Sequence, residues 1–313
     1  MSNIILHHYA TSPFAEKTRL ILGYKAISWQ SVLIPQIMPK PDVVALTGGY
    51  RRTPFMQIGA DIYCDTALIA EKLEQQFPTP SLYPQGVPRG LVDTVAQWAD
   101  TTLFWQAAIG YAFQGKSMPF IFAGVPPEVA KAFATDRAAM RAGAPRVPAA
   151  ESAGALRVFL QRLDSMLATQ QFLLSSTPSL ADFSAYHPLW FVRRIEPIAA
   201  ILAGVKNVLP WMDRMAAIGH GTIAKLSSTE AIAIATTAGS RAESGDAPWQ
   251  DEHGIDRGTQ VAITPLDYAF NAVVGELVLS TSNELAIKRT DERAGEVVVH
   301  FPRVGYKLER VAL

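Results

Sequence analysis

Short apolar runs and helical periods alternate over residues 1–80 in an order that limits the fold more than any other feature of this sequence. Runs rich in β-branched and aromatic residues predict strands, and helix formers with apolar residues three or four positions apart predict helices. The elements predicted in this way are, in chain order, a strand at Ile4–His8, a helix from Pro13 to about Lys25, a strand at Trp29–Ile34, strands at Phe55–Ile58 and Ile62–Cys64, and a helix that opens at Asp65-Thr66. The order is therefore β-α-β followed by β-β-α, which indicates one α/β domain.

The turn between the first strand and the first helix suits a helix N-terminus. Ser12 is a favourable N-cap residue, and Pro13 falls at the first helical position, where its missing N–H does no harm. The free N–H groups and the positive dipole end of the helix then point back towards Ser12 and favour a negative charge there. A hydroxyl at this position can donate a hydrogen bond to an anion such as a thiolate. The alternative is that Ser12 only caps the helix.

The composition of the chain limits which partners it can bind and which cellular compartment it fits. The 313 residues include 28 basic and 28 acidic side chains, so the zero net charge gives no electrostatic reason to expect a nucleic acid or an anionic membrane. The single cysteine, Cys64, excludes an internal disulfide and fits a reducing compartment. The N-terminus has no basic stretch ahead of a long apolar core, and no apolar run reaches the roughly 18 residues of a membrane helix. We therefore expect a cytoplasmic protein without a membrane partner.

Residues 77–88 have the composition of a linker because they contain four prolines, and the pattern beyond them is helical. The predicted helices cover Arg89–Phe113, Ser152–Thr169, a segment that follows the capping box Ser179-Leu180-Ala181-Asp182, and about Leu209–Ile218. These helices predict an all-helical domain over residues 89–238.

Short β-rich runs return in residues 255–313 and predict a small antiparallel β unit. Its seven basic and eight acidic side chains lack the basic excess of an oligonucleotide-binding groove. A unit this small buries too little surface to be very stable alone. We therefore expect it to be a structural appendix that packs its apolar face, with Val297, Val299 and Phe301, on the helical domain or on a partner subunit.

Three motifs in this order resemble those of glutathione transferases. The turn Ser12–Arg19 resembles the omega-class turn, which has a cysteine in place of Ser12, and it aligns with the zeta-class turn, which has a catalytic serine there. Thr53-Pro54 stands in the position of the family's cis-proline, and Asp65-Thr66 stands where the family usually has Glu-Ser. The capping box Ser179–Asp182 matches a structural signature of the family.

The resemblance implies the fold class of that family. Residues 1–80 would form a thioredoxin-like α/β domain, which has the β-α-β and β-β-α order, and residues 89–238 would form an all-α helical bundle. The β unit of residues 255–313 lies outside this two-domain plan and is similar to the β-rich tail of some bacterial family members.

The resemblance also implies a set of site residues. Ser12 would be the catalytic residue that stabilises the glutathione thiolate, with Tyr9 as the rival assignment and Thr11 as the third. The glutathione-binding residues would be Phe14, Arg52, Thr53, Pro54, Asp65 and Thr66. In this arrangement the backbone of Thr53 pairs with the cysteinyl backbone of glutathione, while Asp65 and Thr66 bind its γ-glutamyl end.

The implied function is transfer of an apolar electrophile to glutathione, a co-substrate, by a homodimer that needs no metal. The alternative is a glutathione transferase-like binding protein with little or no turnover. Ser12 in place of cysteine argues against thiol-transferase chemistry, which needs a mixed disulfide. The acceptor pocket between the domains would be lined by aromatic residues that could equally be plain core, namely Trp105, Tyr111, Tyr186 and Trp190.

Overall fold

The computed structural model of the protein describes residues 4–240, 248–250 and 252–311. Its first part contains, in chain order, β1 (Ile4–His8), α1 (Pro13–Tyr24), β2 (Ser28–Leu33), α2 (Pro41–Thr47), β3 (Phe55–Ile58), β4 (Asp61–Cys64) and α3 (Thr66–Gln76). Strand β1 pairs in parallel with β2 and antiparallel with β3, and β3 and β4 form an antiparallel hairpin. These pairings confirm the predicted thioredoxin-like order, with α2 as an element that the sequence analysis did not predict.

The strength of the capping signals explains which of these helices could be predicted. Helices α1 and α3 begin at Ser12 and Asp65, whose side chains accept hydrogen bonds from backbone N–H groups of the first helical turn. Helix α2 begins at Pro41 after Lys40, which makes no side-chain capping bond, and it ends at Gly48 in the left-handed conformation. The only sequence signal at the start of α2 is therefore the preference of proline for the first turn of a helix, which is too weak to predict the helix.

The helical part follows the linker. Its elements are α4 (Arg89–Trp98), a π-helical segment (Ala99–Ala108), α5 (Ile109–Ala112), a 3-10 turn (Gly115–Ser117), α6 (Met118–Ile121), α7 (Pro127–Met140), α8 (Ala149–Met166), α9 (Leu180–Arg193), α10 (Glu196–Ala199), a second 3-10 turn (Ala200–Gly204) and α11 (Val208–Ala217). The predicted long helix at residues 89–113 is thus one continuous run with a π-helical middle, a form that is frequent at functional sites.

The predicted capping box at the start of α9 is present. The Asp182 carboxylate accepts hydrogen bonds from the backbone N–H of Ser179 at 2.9 Å and from Trp211 Nε1 at 3.0 Å. The same carboxylate therefore starts α9 and ties it to α11. Within the described ranges, no helix has both the length and the apolar character needed to cross a lipid bilayer.

After the helical part, the chain returns to the sheet. Strand β5 (Thr222–Lys225) pairs in parallel with β2, and α12 (Ser228–Ala238) packs against α2. The segment that leads into β5 passes close to α1. A Cβ added at Gly23 of α1 would lie 2.1 Å from the carbonyl oxygen of Gly219, so position 23 requires a glycine. The sequence analysis assigned residues 222–238 to the helical domain, whereas the structure joins them to the first domain.

The C-terminal strands extend the same sheet at its other edge. They are β6 (Gln260–Pro265), β7 (Val273–Ser280), β8 (Glu284–Asp291), β9 (Gly295–Pro302) and β10 (Tyr306–Arg310). Neighbouring strands of this unit are antiparallel, as predicted, and β9 pairs in parallel with β4. Over the described residues, one sheet of ten strands results, in the order β10-β6-β7-β8-β9-β4-β3-β1-β2-β5.

The expected packing of the C-terminal unit on the helical domain or a partner subunit is therefore corrected. Val297, Val299 and Phe301 face one side, as predicted, but they share a core with Ile5 and Phe55 of the first domain. The physical reason is the free edge of β4, whose backbone N–H and C=O groups find partners in β9.

Candidate active site

A cavity of about 1060 Å³ opens where the first domain, the helical part and the C-terminal strands meet. The first domain contributes all the residues that the sequence analysis assigned to glutathione binding, namely Phe14, Arg52, Thr53, Pro54, Asp65 and Thr66. The helical part contributes Asp100 and Trp105 from its π-helical segment, and the C-terminal region contributes Asp267, Tyr268 and Tyr306. The structure therefore brings the predicted binding residues together in the lining of one cavity, and we call the part of the lining that they form the cavity wall.

Ser12 lies beside this wall, at the N-terminus of α1. Its Oγ accepts a hydrogen bond from the backbone N–H of Ala15 at 3.2 Å and donates to the carbonyl oxygen of Thr53 over 3.5 Å. The side chain is 2% exposed and is not one of the described residues that line the cavity. The N-cap role is confirmed, and the long contact to Thr53 leaves the hydroxyl hydrogen weakly engaged.

The two rival candidates lie elsewhere. The half-buried Tyr9 has a hydroxyl that accepts a hydrogen bond from Arg137 of α7 at 3.3 Å. Thr11 is exposed. Like Ser12, neither of them belongs to the described cavity lining. The hydroxyl that contacts Thr53 is that of Ser12.

The Thr53-Pro54 bond is cis, as the resemblance implied. Strand β3 starts at the next residue, Phe55, and Thr53 stays on the cavity wall. The backbone of Thr53 therefore sits at the point where an extended ligand could pair with it.

Asp65 and Thr66 form the N-terminus of α3 on the same wall. Asp65 has φ 76°, a conformation that non-glycine residues rarely adopt, and its Oδ1 accepts from the N–H of Ala67 at 3.0 Å. The hydroxyl oxygen of Thr66 accepts from Lys17 Nζ at 3.3 Å. This helix end combines free N–H groups, a hydroxyl and a carboxylate, which suits a ligand group that carries both charges.

A buried charged network that the sequence analysis missed supports this end of the cavity. Lys17 is fully buried, and its Nζ contacts Asp100 Oδ2 at 2.6 Å, while Asp100 Oδ1 lies 3.0 Å from His187 Nε2. Burial alone would raise the pKa of Asp100, but Lys17 and His187 lower it below the usual value. Burial lowers the pKa of His187, so its Nε2 is a neutral donor to the carboxylate. The Phe14 ring lies 4.5 Å from that of His187.

The ion pair in this network was beyond sequence reasoning because its members are 83 positions apart in the chain. Lys17 does belong to the turn Ser12–Arg19, directly after Glu16, and this lysine is the available sequence signal for the network. A lysine that is buried needs a carboxylate partner, so its burial implies an acidic residue nearby without identifying which one.

Arg52 is held by the C-terminal region. It is 8% exposed, and its Nη2 donates to the Asp267 carboxylate and, at 2.6 Å, to the carbonyl oxygen of Tyr268. Its guanidinium lies 4.1 Å from the centroid of the Tyr268 ring. Burial alone would lower the pKa of Arg52, but Tyr268 and the neighbouring acidic groups raise it above the usual value. No local pattern in the sequence connects Arg52 with residues so far along the chain.

Of the four predicted acceptor-pocket aromatics, Trp105 lines the cavity, and its ring lies 4.6 Å from that of Tyr268. Tyr111 is buried, and its hydroxyl donates a hydrogen bond to the carbonyl oxygen of Ile198 at 3.4 Å. Tyr186 is 2% exposed, and Trp190 packs against the same helical core. Tyr111, Tyr186 and Trp190 thus follow the alternative of plain core, because aromatic residues at helical spacing face the core between helices. Among the described residues, no group of three or more His, Cys, Asp or Glu side chains is arranged to hold a metal ion.

Comparisons with known proteins identify what this chain is similar to. Residues 6–81 match the family model of the glutathione S-transferase N-terminal domain, and residues 148–214 match that of the C-terminal domain. The structure of a GST-like protein from Pseudomonas syringae is 43% identical in sequence with a TM-score of 0.81, and the match covers 99% of this chain and 100% of that chain. A comparison with curated proteins found no match.

More distant structures share the fold over about two thirds of this chain. Glutathione S-transferase III in its apo form is 16% identical with a TM-score of 0.53, over 69% of this chain and 92% of that chain. The β-etherase LigF from Sphingobium sp. strain SYK-6 is 20% identical with a TM-score of 0.52, over 69% of this chain and 95% of that chain.

Proposed function

This chain belongs to the glutathione S-transferase family, and on that premise we propose that it is an enzyme that activates the thiol of glutathione for attack on an apolar electrophile. The observation that carries the proposal is the convergence of the predicted binding residues, from Phe14 to Thr66, on one cavity wall beside Ser12. Glutathione is the co-substrate in this proposal, and the reaction calls for no metal.

The geometry supports one orientation of glutathione. The γ-glutamyl carboxylate would sit on the free N–H groups and the hydroxyl of Thr66 at the start of α3, with its ammonium on Asp65. The cysteinyl backbone would pair with Thr53. The thiol would then lie near Ser12, because Ser12 Oγ is 3.5 Å from the carbonyl oxygen of Thr53.

The energy that Ser12 must supply is within its reach. A thiol pKa of ~8.5 has to fall by about two units for substantial ionisation at neutral pH, which takes ~2.7 kcal/mol. A hydrogen bond to a charged group contributes about 1.5–3 kcal/mol. The N-terminus of α1 adds about 0.3–1 kcal/mol. Ser12 and the helix can therefore stabilise the thiolate without a general base.

The acceptor side of the proposal rests on two rings. The rings of Trp105 and Tyr268 both line the cavity, with their centroids 4.6 Å apart and their planes tilted by 60°, and they offer an apolar surface to an electrophile. Ser12 stands where a thiol-transferase would need a cysteine, so the proposed chemistry is conjugation rather than disulfide exchange.

We also propose a homodimer in the cytoplasm. The dimer follows from the family, and the compartment is supported by the one cysteine, Cys64, which is free and fully buried. Light scattering coupled to size exclusion tests the dimer, because a monomer at micromolar concentration would contradict it.

The test combines retention on glutathione-agarose with conjugation of 1-chloro-2,4-dinitrobenzene. We expect Ser12→Ala to lower kcat/KM by about 10- to 1000-fold, because it removes one charge-assisted hydrogen bond to the thiolate. The dissociation constant for glutathione should change much less. Thr11→Ala removes the exposed hydroxyl of the neighbouring residue and is the matched control, with activity near that of the wild type.

The outcomes separate the possibilities. A larger loss with Tyr9→Phe than with Ser12→Ala would overturn the assignment of Ser12. If the wild type is retained on the resin but shows no turnover that Ser12→Ala lowers, the chain is a binding protein. Failure of the wild type to bind glutathione would contradict the proposal as a whole.

A further inference from the structure

The carboxylate of Asp65 is held from two sides. Its Oδ1 accepts from the N–H of Ala67 at 3.0 Å within the first turn of α3. Its Oδ2 accepts from the hydroxyl of Tyr306 at 3.1 Å, although the two residues are 241 positions apart. An ionised carboxylate has about four acceptor positions, so two remain for a cationic group of a ligand. The two bonds fix the plane in which those positions lie.

The hydroxyl of Tyr306 is itself built into place. Tyr306 is 7% exposed, its ring lies 5.5 Å from that of Phe301, and its oxygen lies 3.1 Å from the hydroxyl of the buried Tyr50. Because Asp65 can only accept, Tyr306 donates to it and Tyr50 donates to Tyr306. Burial raises the pKa of Tyr306 well above its usual value, so the donor stays protonated at neutral pH.

The same corner of the C-terminal region also holds Arg52. Strand β10 starts at Tyr306, which is in register with Pro265 of β6, and the residues just after β6 include Asp267 and Tyr268. Those two residues bind the Arg52 guanidinium. Two neighbouring segments outside the first two domains thus reach Arg52 and Asp65, the two charged residues among the predicted glutathione-binding residues.

We propose that Tyr306 is a positioning residue for ligand recognition, which orients the Asp65 carboxylate towards the ammonium of the γ-glutamyl group. This inference rests on the proposed binding of glutathione. It gives the C-terminal strands a part in the site, in place of the purely structural role expected from the sequence.

The variant Tyr306→Phe tests the proposal because it keeps the ring and removes the hydroxyl. We expect the dissociation constant and the KM for glutathione to rise by about 3- to 10-fold, as for the loss of one hydrogen bond, with kcat unchanged at saturating glutathione. Tyr50→Phe leaves the Tyr306 donor in place, so the increase should be smaller. Tyr83→Phe is the matched control, since it removes a similar 2.9 Å bond to Asp93 that lies outside the proposed contacts.

A second ligand separates positioning from a general structural effect. Glutaryl-cysteinyl-glycine lacks the amino group of the γ-glutamyl residue and so makes no ion pair with Asp65. We expect the penalty of Tyr306→Phe, measured by calorimetry, to disappear with this analogue. An equal penalty for both ligands would assign Tyr306 a structural role only and would overturn the proposal.

The remaining outcomes are also decisive. If the wild type binds glutathione and Tyr306→Phe binds it equally well, the proposal for Tyr306 is wrong and the proposed function stands. If the wild type does not bind glutathione, both are wrong. Unfolding by urea shows whether Tyr306→Phe is folded under the assay conditions. If it is not, Tyr50→Phe is the second variant, because it removes the hydroxyl that holds Tyr306 in place. We then expect a smaller penalty with glutathione and none with the analogue, and an equal penalty with both ligands would overturn the proposal.

Discussion

The sheet of the first domain is extended by a parallel strand at each edge, and the two junctions differ in what they bury. At β2 the added strand β5 has four residues, all of them exposed. At β4 the added strand β9 has eight residues, of which Val297–Pro302 are buried. Backbone hydrogen bonds are enough to attach β5. Strand β9 also adds its side chains to the core of the first domain, so this junction buries apolar surface where β5 itself does not.

The two junctions differ in charge as well. At the β4 edge the ring of His300 lies between two carboxylates, with Nε2 3.2 Å from Asp61 Oδ1 and Nδ1 2.6 Å from Glu284 Oε1. Both ring nitrogens face acceptors, so the imidazolium is the form that satisfies them. Burial alone would lower the pKa of His300, but the carboxylates raise it above its usual value. The ring also stacks 4.4 Å from that of Tyr63 in β4.

The largest effect is expected from Phe301→Ala at the buried junction. Phe301 is fully buried, and its ring lies 6.0 Å from that of Tyr50. The free energy of unfolding, measured by urea denaturation, should fall by about 3–5 kcal/mol because a large cavity forms in the shared core. A loss below about 1 kcal/mol would mean that β9 docks without depending on this core.

A pH-dependent effect is expected from His300→Gln. A raised pKa means that the folded state binds the proton more tightly, so the added stability is complete below the ordinary value of 6.5 and is lost as pH rises through the raised value. The variant should therefore be less stable than the wild type below pH 6.5, and the difference in Tm should narrow at higher pH. A difference that grows with pH would show that the neutral ring is the stabilising form.

The smallest effect is expected from Ile223→Ala in β5. Ile223 is 47% exposed, so its loss should change the free energy of unfolding by no more than about 0.5 kcal/mol. Urea denaturation beside Phe301→Ala gives the comparison directly. A cost similar to that of Phe301→Ala would show that the β5 junction is covered in solution, for instance by a second copy of the chain.

Local chemistry made much of the site predictable. Ser12 and Asp65 cap helices, and Pro54 precedes a strand, so these proposed site residues stand at turns whose residue types predict them. Such signals need only a few neighbouring residues. The same holds for the capping box of α9, in which Ser179 and Asp182 are three positions apart.

The remaining parts depend on residues far apart in the chain. Strand β5 has no alternation of buried and exposed residues, so its four exposed positions carried no strand signal. The partner of Arg52 is Asp267, 215 positions later, and no local pattern connects them. Edge pairing of β9 with β4 uses backbone groups, which every sequence offers equally. Only the assembled sheet shows which edge is taken.

The pairing of β4 with β9 has a consequence for how the chain matures. Asp61 and His300 are 239 positions apart, so the edge of β4 stays open until β9 has been synthesised. Contacts this distant form slowly, and an open edge can pair with another chain in the meantime. The Asp65 carboxylate likewise meets Tyr306 only after β10 has been made. A nascent chain can therefore hold every recognisable turn of the first domain while its ligand wall is still incomplete.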